Sequence, residues 1–212
     1  MSKPLLILGA GGHASVLIDI LLQQKREILG LVSPEIESNS KVFNGIRHYK
    51  SDDDVLKFDK KSIELVNGIG SLPGDRLRSS IYNKFLELGY EFAIVIAPSA
   101  KISGYAEIGG GVQVFAGAII QTGAVIGANT IINTGSIIEH NCIIGQNNHI
   151  APGVTLSGQV TTEENIHIGT GASVIQSIGI GKNSIVGAGV VITKNVEENT
   201  ICFPVRIAKK VI

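Results

Sequence analysis

From Ile96 to Glu197 the chain repeats one six-residue phrase seventeen times without losing phase. Sixteen of the seventeen hexads open with Ile, Leu or Val, and only Thr162 departs. Side chains alternate along a strand with period two, so a period of six means a short strand plus a corner. The leading aliphatic residue points inward. The second position is often glycine, as at Gly109, Gly127, Gly145, Gly169, Gly181 and Gly187, and is expected to suit a tight corner that takes φ > 0. The fifth position is small or β-branched (Ala100, Ala118, Ala124, Ser136, Cys142, Ala172, Ser184) and leaves room beside the large leading residue. Three faces close a triangular coil of eighteen residues, so the array makes a little under six coils. Aliphatic ladders pack such a prism at about 0.8 kcal/mol per buried CH₂. The 5% aromatic content fits an interior too narrow for rings.

The 212 residues suffice for two compact units. A formal net charge of zero, without a basic block, argues against nucleic acid as a partner. The run after Lys3 stops in glycines and does not read as a signal peptide. No apolar stretch reaches membrane-spanning length, so no membrane insertion is expected. Cys142 and Cys202 stand sixty residues apart and read as reduced thiols of a cytoplasmic protein, with Cys142 in a packing slot.

The first ninety-five residues have a different grammar. Pro4–Leu8 is an apolar run ending in Gly9-Ala10-Gly11-Gly12-His13-Ala14. Val16, Leu17, Ile20 and Leu21 follow at helical spacing. Ile28–Val32 and Ser62–Val66 read as further strands, Ser51–Asp54 as an acidic helix start, and Pro73-Gly74-Asp75 as the opening of a helix ending at Gly89. This is a βαβ unit extended to a small parallel sheet. The turn Gly9-x-Gly11-x-x-Ala14 matches a phosphate-binding fingerprint, though a plain strand-to-helix turn would look the same. Val32 is followed by Ser33-Pro34-Glu35 instead of an acidic residue, so NAD is not supported, and a half-size unit of this kind can hold a mononucleotide instead.

The two halves together resemble the hexapeptide-repeat acetyltransferases of the sialic-acid O-acetyltransferase family. Among its close relatives are the N-acetyltransferases of nucleotide-linked 4-amino-6-deoxy sugars, of the bacillosamine and perosamine type. The resemblance rests on Gly9–Ala14, Gly68–Gly70, Arg76, Pro98–Ala100, Asn133–Ser136, Ile138–His140, His149 and Phe203–Arg206. It implies a small Rossmann-like α/β domain (1–95) holding the nucleotide sugar, a left-handed parallel β-helix (96–197) holding acetyl-CoA, and a tail (198–212) closing over it. It also implies a homotrimer with sites at the seams between prisms. Handedness comes from the resemblance alone, since parallel crossovers are usually right-handed.

By resemblance His140 is the general base, taking a proton as an amine or hydroxyl attacks the thioester, and Asn141 orients it without supplying charge. Some relatives have an acidic residue after this histidine, and Glu139 is the nearest substitute here. His149 is implied to contact the acetyl carbonyl. Gly158, Thr170, Ala188 and Pro204 are implied to line the acetyl-CoA seam, with Arg206, Lys209 and Lys210 near the phosphates. Gly11, Gly12, His13, Ser33 and Gly70 are implied to face a UDP-linked amino sugar. Transfer would be direct, because no activated nucleophile is visible. His167, eighteen residues beyond His149, should stack on it. A stacked pair raises a metal site, but zinc wants three placed ligands and none is expected here. Two alternatives stay open: O-acetylation of a sialic-acid-type sugar, and a non-catalytic trimeric scaffold.

Overall fold

The computed structural model describes residues 2–36 and 40–204. Its N-terminal unit is a four-stranded parallel sheet in the order β3-β2-β1-β4. The strands are β1 (Leu5–Leu8), β2 (Ile28–Val32), β3 (His48–Tyr49) and β4 (Glu64–Asn67). Leu5–Leu8 is buried at every position, as befits a central strand covered on both faces. Helix α1 (Gly12–Gln23) covers one face with Ala14, Leu17, Ile18 and Leu21. Helix α2 (Leu77–Glu87) covers the other through Tyr82 and Phe85. The sheet order reverses direction at β1, so a crevice opens beyond the carboxyl ends of Leu8 and Asn67.

Three local readings shift. The edge strand β3 is too short for periodicity to reveal. Ser51 caps a 3₁₀ helix (Asp52–Lys57) in a capping box with Asp54. The helix expected to open at Pro73 starts at Leu77, where Asp75 Oδ1 accepts the Leu77 N–H at 2.8 Å.

From Val95 the chain winds a three-faced parallel β-helix of two-residue strands. Its sheets have seven, six and five strands. Strands pair with the one eighteen residues on, as in Ile132↔Ile150 and Ile150↔Ile168, until the last turn, where Ile185↔Ile201 spans sixteen. The seven-stranded face meets the small domain: Phe115 and Ile131 join the core of Leu5, Ile7 and Ala14. The prism interior is built from leading residues such as Ile132, Ile150 and Ile168 and from fifth-position residues such as Ala118, Cys142 and Ala172. The tail adds Ile201–Cys202 as the last strand of the seven-stranded face. Residues 205–212, with Arg206, Lys209 and Lys210, lie outside the described residues.

The role expected of the second-position glycines is corrected. None of those six has a positive φ; the left-handed residue is the fourth of most hexads, usually Gly or Asn, as at Gly123 (71°), Asn129 (56°) and Asn141 (57°). The second-position glycines are there for proximity between coils. A Cβ on Gly145 would fall 2.2 Å from the Glu163 carbonyl oxygen, and one on Gly169 2.6 Å from the Ala188 nitrogen. Thr162 is also explained. Its Oγ accepts from Asn148 Nδ2 at 2.7 Å, and Asn148 Oδ1 accepts the Ile166 N–H at 2.7 Å, so the one polar leading residue is satisfied inside the core.

Candidate active site

His140 sits on the edge between the six- and five-stranded faces, third in its hexad and exposed. Its Nδ1 lies 3.0 Å from Asn141 Oδ1. With the amide oxygen turned to the ring, the Nδ1–H donates to it and Nε2 is left to face the open edge. Asn141 can reach the ring because it occupies the left-handed corner position at φ 57°, which asparagine tolerates. Glycines flank both side chains. A Cβ on Gly158 would stand 2.6 Å from His140 Cε1 and Nε2, and one on Gly123 2.7 Å from Asn141 Nδ2. His140 and Asn141 therefore lie in a slot kept open by two missing side chains. The same edge carries Tyr105, 83% exposed, whose carbonyl accepts the Gly123 N–H.

This arrangement separates Gly158 from the other residues expected at acetyl-CoA. Gly158 belongs to the His140 edge, where Gln159 N–H donates to the His140 carbonyl. Thr170 and Ala188 stack on the edge between the seven- and six-stranded faces, where the Gly189 N–H donates to Thr170 O. Pro204 extends that column: its Cδ would be 3.1 Å from a Cβ on Gly187. Cys142 is fully buried with its thiol on the Ser157 carbonyl at 3.2 Å, and burial raises its pKa, which leaves it a packing residue.

His149 lies on the seven-stranded face, away from His140. Its Nδ1 donates to the Ser71 carbonyl at 3.0 Å, and its Nε2 accepts from Asn133 Nδ2 at 3.1 Å. Both nitrogens are engaged, so the free N–H expected for an acetyl carbonyl is already committed to Ser71 in this arrangement. Burial, with His167 adding to it, lowers its pKa to about 4. His167 stacks on it as expected, with ring centroids 4.8 Å apart at 90°. Among the described residues no group of three His, Cys, Asp or Glu side chains could hold a metal ion.

Of the residues expected on the sugar side, Gly11 and Ser33 share one pocket on the rim of the small domain, and His13 and Gly70 lie together at the joint with the prism. Ala10, Gly11, Ser33, Glu35 and Ile36 line a pocket of about 300 Å³ beyond β1 and β2. Ser33 Oγ is turned back onto the Glu35 carbonyl at 2.6 Å. Gly9, at φ 106°, lets the turn pass Gly68, where a Cβ would lie 3.1 Å from backbone. Gly12 is open and starts α1 with no capping side chain, so the first-turn N–H groups face this rim. Gly70 lies beside His13, its would-be Cβ 3.6 Å from that of His13.

The whole chain, sheet and prism together, can then be set against known proteins. A family model for the PglD N-terminal domain matches residues 4–85, and one for the bacterial transferase hexapeptide (six repeats) matches residues 123–158. The chain is similar to PerB of Caulobacter crescentus, solved with CoA and GDP-perosamine, at 30% identity and a TM-score of 0.83, covering 94% of this chain and 93% of that one. The chain belongs to the hexapeptide-repeat sugar N-acetyltransferases with a PglD N-terminal domain. Another similar structure is the acetyltransferase domain of PglB from Neisseria gonorrhoeae with acetyl coenzyme A, at 27% identity and a TM-score of 0.83, covering 93% of this chain and 94% of that one. No curated protein sequence matches.

The prism of this acyltransferase is therefore the left-handed parallel β-helix, and the scaffold alternative falls. Sequence reasoning missed Arg78, the buried residue that docks the two domains. Its guanidinium donates to the carbonyls of Asn67 (2.9 Å), Ile69 (2.7 Å) and Asn129 (3.3 Å). Burial lowers its pKa to about 9, which leaves it charged at neutral pH. Gln113 was missed too, and is 1% exposed where the repeat gives no reason for a polar residue. Arg78 lies on a helix of the small domain and Gln113 at the outward sixth position of its hexad, so in sequence each looks like an ordinary exposed polar residue.

Proposed function

We propose that this acetyltransferase moves the acetyl group of acetyl-CoA to the amine of a UDP-linked 4-amino-6-deoxy sugar in surface-glycan or glycoprotein assembly. The observation that carries the reading is the His140–Asn141 pair, with Nε2 open on a prism edge, in a chain that matches PerB, whose structure holds CoA and GDP-perosamine, over 94% of its length. In this reading the nucleotide sugar meets Gly11, Gly12, His13, Ser33 and Gly70, with the phosphates toward the start of α1; the pocket lined by Gly11 and Ser33 supports it. The amine attacks the thioester carbonyl, His140 Nε2 takes the amine proton, and CoA leaves as the thiolate. Asn141 holds the imidazole by its Nδ1–H throughout. Acetyl-CoA lies along Thr170, Ala188 and Pro204.

We read the working unit as a cytoplasmic homotrimer. One protomer holds His140 and the Thr170–Ala188 column on different edges, and a neighbouring prism would bring such edges together. The faces flanking the His140 edge expose Ile143 (54%) and Val191 (64%), apolar area that a neighbour would cover. Light scattering showing an active monomer would remove this part of the reading.

The substrate test is acetyl transfer from acetyl-CoA to UDP-, GDP- and dTDP-linked 4-amino-6-deoxy sugars, read by mass spectrometry. The UDP sugar should be the best acceptor. Product only from the GDP or dTDP sugars corrects the base, and product only from free sialic acid replaces the reading with O-acetylation. His140→Ala should lower turnover by roughly 10² to 10⁴. Full activity in that variant would mean that another group is the base.

A further inference from the structure

A chain of buried hydrogen bonds crosses the joint between the two domains and ends on His13. Gln113, on the first coil, places its Nε2 2.7 Å from the Asn67 carbonyl oxygen. A carbonyl only accepts, so the amide group cannot be flipped. Gln113 Oε1 must then face His13 Nε2, 2.7 Å away. An amide oxygen accepts too, so the His13 proton is on Nε2. Arg78 Nη1 holds the same Asn67 carbonyl at 2.9 Å, and Asn67 Nδ2 reaches Asn129 Oδ1 at 3.2 Å. Phe115 packs edge-on against the His13 ring, with centroids 5.2 Å apart.

The imidazole is neutral here. Burial, reinforced by the charge of Arg78, lowers the His13 pKa to about 3. A neutral imidazole has one proton, so Nδ1 is a bare lone pair. It has no hydrogen-bond partner among the described residues. His13 stands in the first turn of α1 beside Gly70, where the rim meets the prism.

We propose that Gln113 is a positioning residue that fixes His13 as the Nε2–H tautomer, so that His13 accepts a hydrogen bond from the sugar and makes none with the diphosphate. Ionised phosphate oxygens have no proton to give, and they repel a bare lone pair. A sugar hydroxyl or an ammonium group can donate to it. This inference rests on the nucleotide-sugar reading and chooses between the two ligand groups expected near His13. It makes His13 a specificity residue for the hexose, with nucleotide affinity left to the glycine turn and the helix start.

The test is calorimetric binding of UDP, GDP and dTDP, and of their 4-amino-6-deoxy sugar derivatives, to the wild type and to His13→Ala. The variant should weaken the sugar nucleotides roughly tenfold, the value of one good hydrogen bond, and shift the nucleoside diphosphates by less than about twofold. Equal weakening of both classes would overturn the inference and leave the substrate reading standing. Failure of every nucleotide to bind the wild type would overturn the substrate reading and the inference with it. Ring ¹⁵N spectra test the role of Gln113 separately. Wild-type His13 should be protonated at Nε2, and Gln113→Leu should admit the Nδ1–H form, a change that lost packing alone does not produce. Should Gln113→Leu fail to fold, the wild-type spectrum decides, and a proton on Nδ1 there would sink the proposal.

Discussion

Two groups of histidines in this molecule differ by surroundings alone. His140 stands exposed on a prism edge, with one nitrogen held by Asn141 and the other open. His13 and His149 lie at the joint between the domains, where burial lowers their pKa values to about 3 and about 4. His149 has both nitrogens engaged, and His13 has one held by Gln113. In the proposed mechanism His140 can cycle protons because water and substrate reach it while Asn141 holds its other nitrogen. At the joint the same ring is a neutral hydrogen-bonding strut. The small domain needs such struts because the prism presents it with a flat, two-residue-per-strand face.

The largest expected effect that separates the two groups is at Gly158. Gly158→Ala places a methyl 2.6 Å from the His140 ring, which must swing away. Turnover should fall by about 10², the usual cost of a displacement near 1 Å, with the acetyl-CoA KM nearly unchanged. The double variant with His140→Ala should be no slower than His140→Ala alone, because both act through one ring. A Gly158→Ala enzyme that loses acetyl-CoA affinity and keeps turnover would return Gly158 to the cofactor seam.

A second contrast concerns His149. His149→Ala strips partners from Ser71 and Asn133 and should cost about 2 kcal/mol, or roughly 5 °C in Tm. Thermal unfolding beside an acetyl-CoA titration decides its role. Lost cofactor affinity at unchanged Tm would place His149 at the acetyl group after all. Charge at the base gives a smaller effect. Asn141→Asp keeps a residue that tolerates the left-handed corner and adds a carboxylate beside Nδ1. The acidic limb of the pH–rate profile should then move to higher pH, and an unmoved limb would show that residue 141 does not govern the base.

Acid should also find the joint before the edge. The folded pKa values of His13 and His149 lie below the ordinary histidine value of about 6.5. As pH falls from 7 to 4 the unfolded chain therefore takes up protons that the folded chain refuses. Their contribution to stability is complete above about pH 6.5 and is lost through the folded pKa values of about 3 and about 4. Tm should drop on the order of 15 °C between pH 7 and pH 4, and His149→Gln should flatten that slope.

The prism was legible because the hexad states inward and outward positions directly, and the fixed offset of eighteen residues placed His167 on His149. The strand-to-helix turn was legible because glycine spacing encodes backbone approach. Asn141 was legible as a partner of His140 because the two are adjacent. What the repeat could not show was anything depending on a second element. The Gly158 shelf needs the next coil to lie against His140, and the commitment of His149 to Ser71 needs the small domain to be docked. Arg78 and Gln113 read as surface residues until that joint closes over them. The second-position glycines were assigned to the wrong cause for the same reason, since close approach between coils is invisible along one strand.

The account stands most directly on the charge state of the joint, and ring ¹⁵N spectra of the histidines between pH 4 and pH 7 read it. At pH 6 His149 should be neutral with its proton on Nδ1, and His13 neutral with its proton on Nε2. A His149 that is cationic at pH 6 would contradict the account, because a buried strut bonded to Ser71 and Asn133 has no room for the second proton.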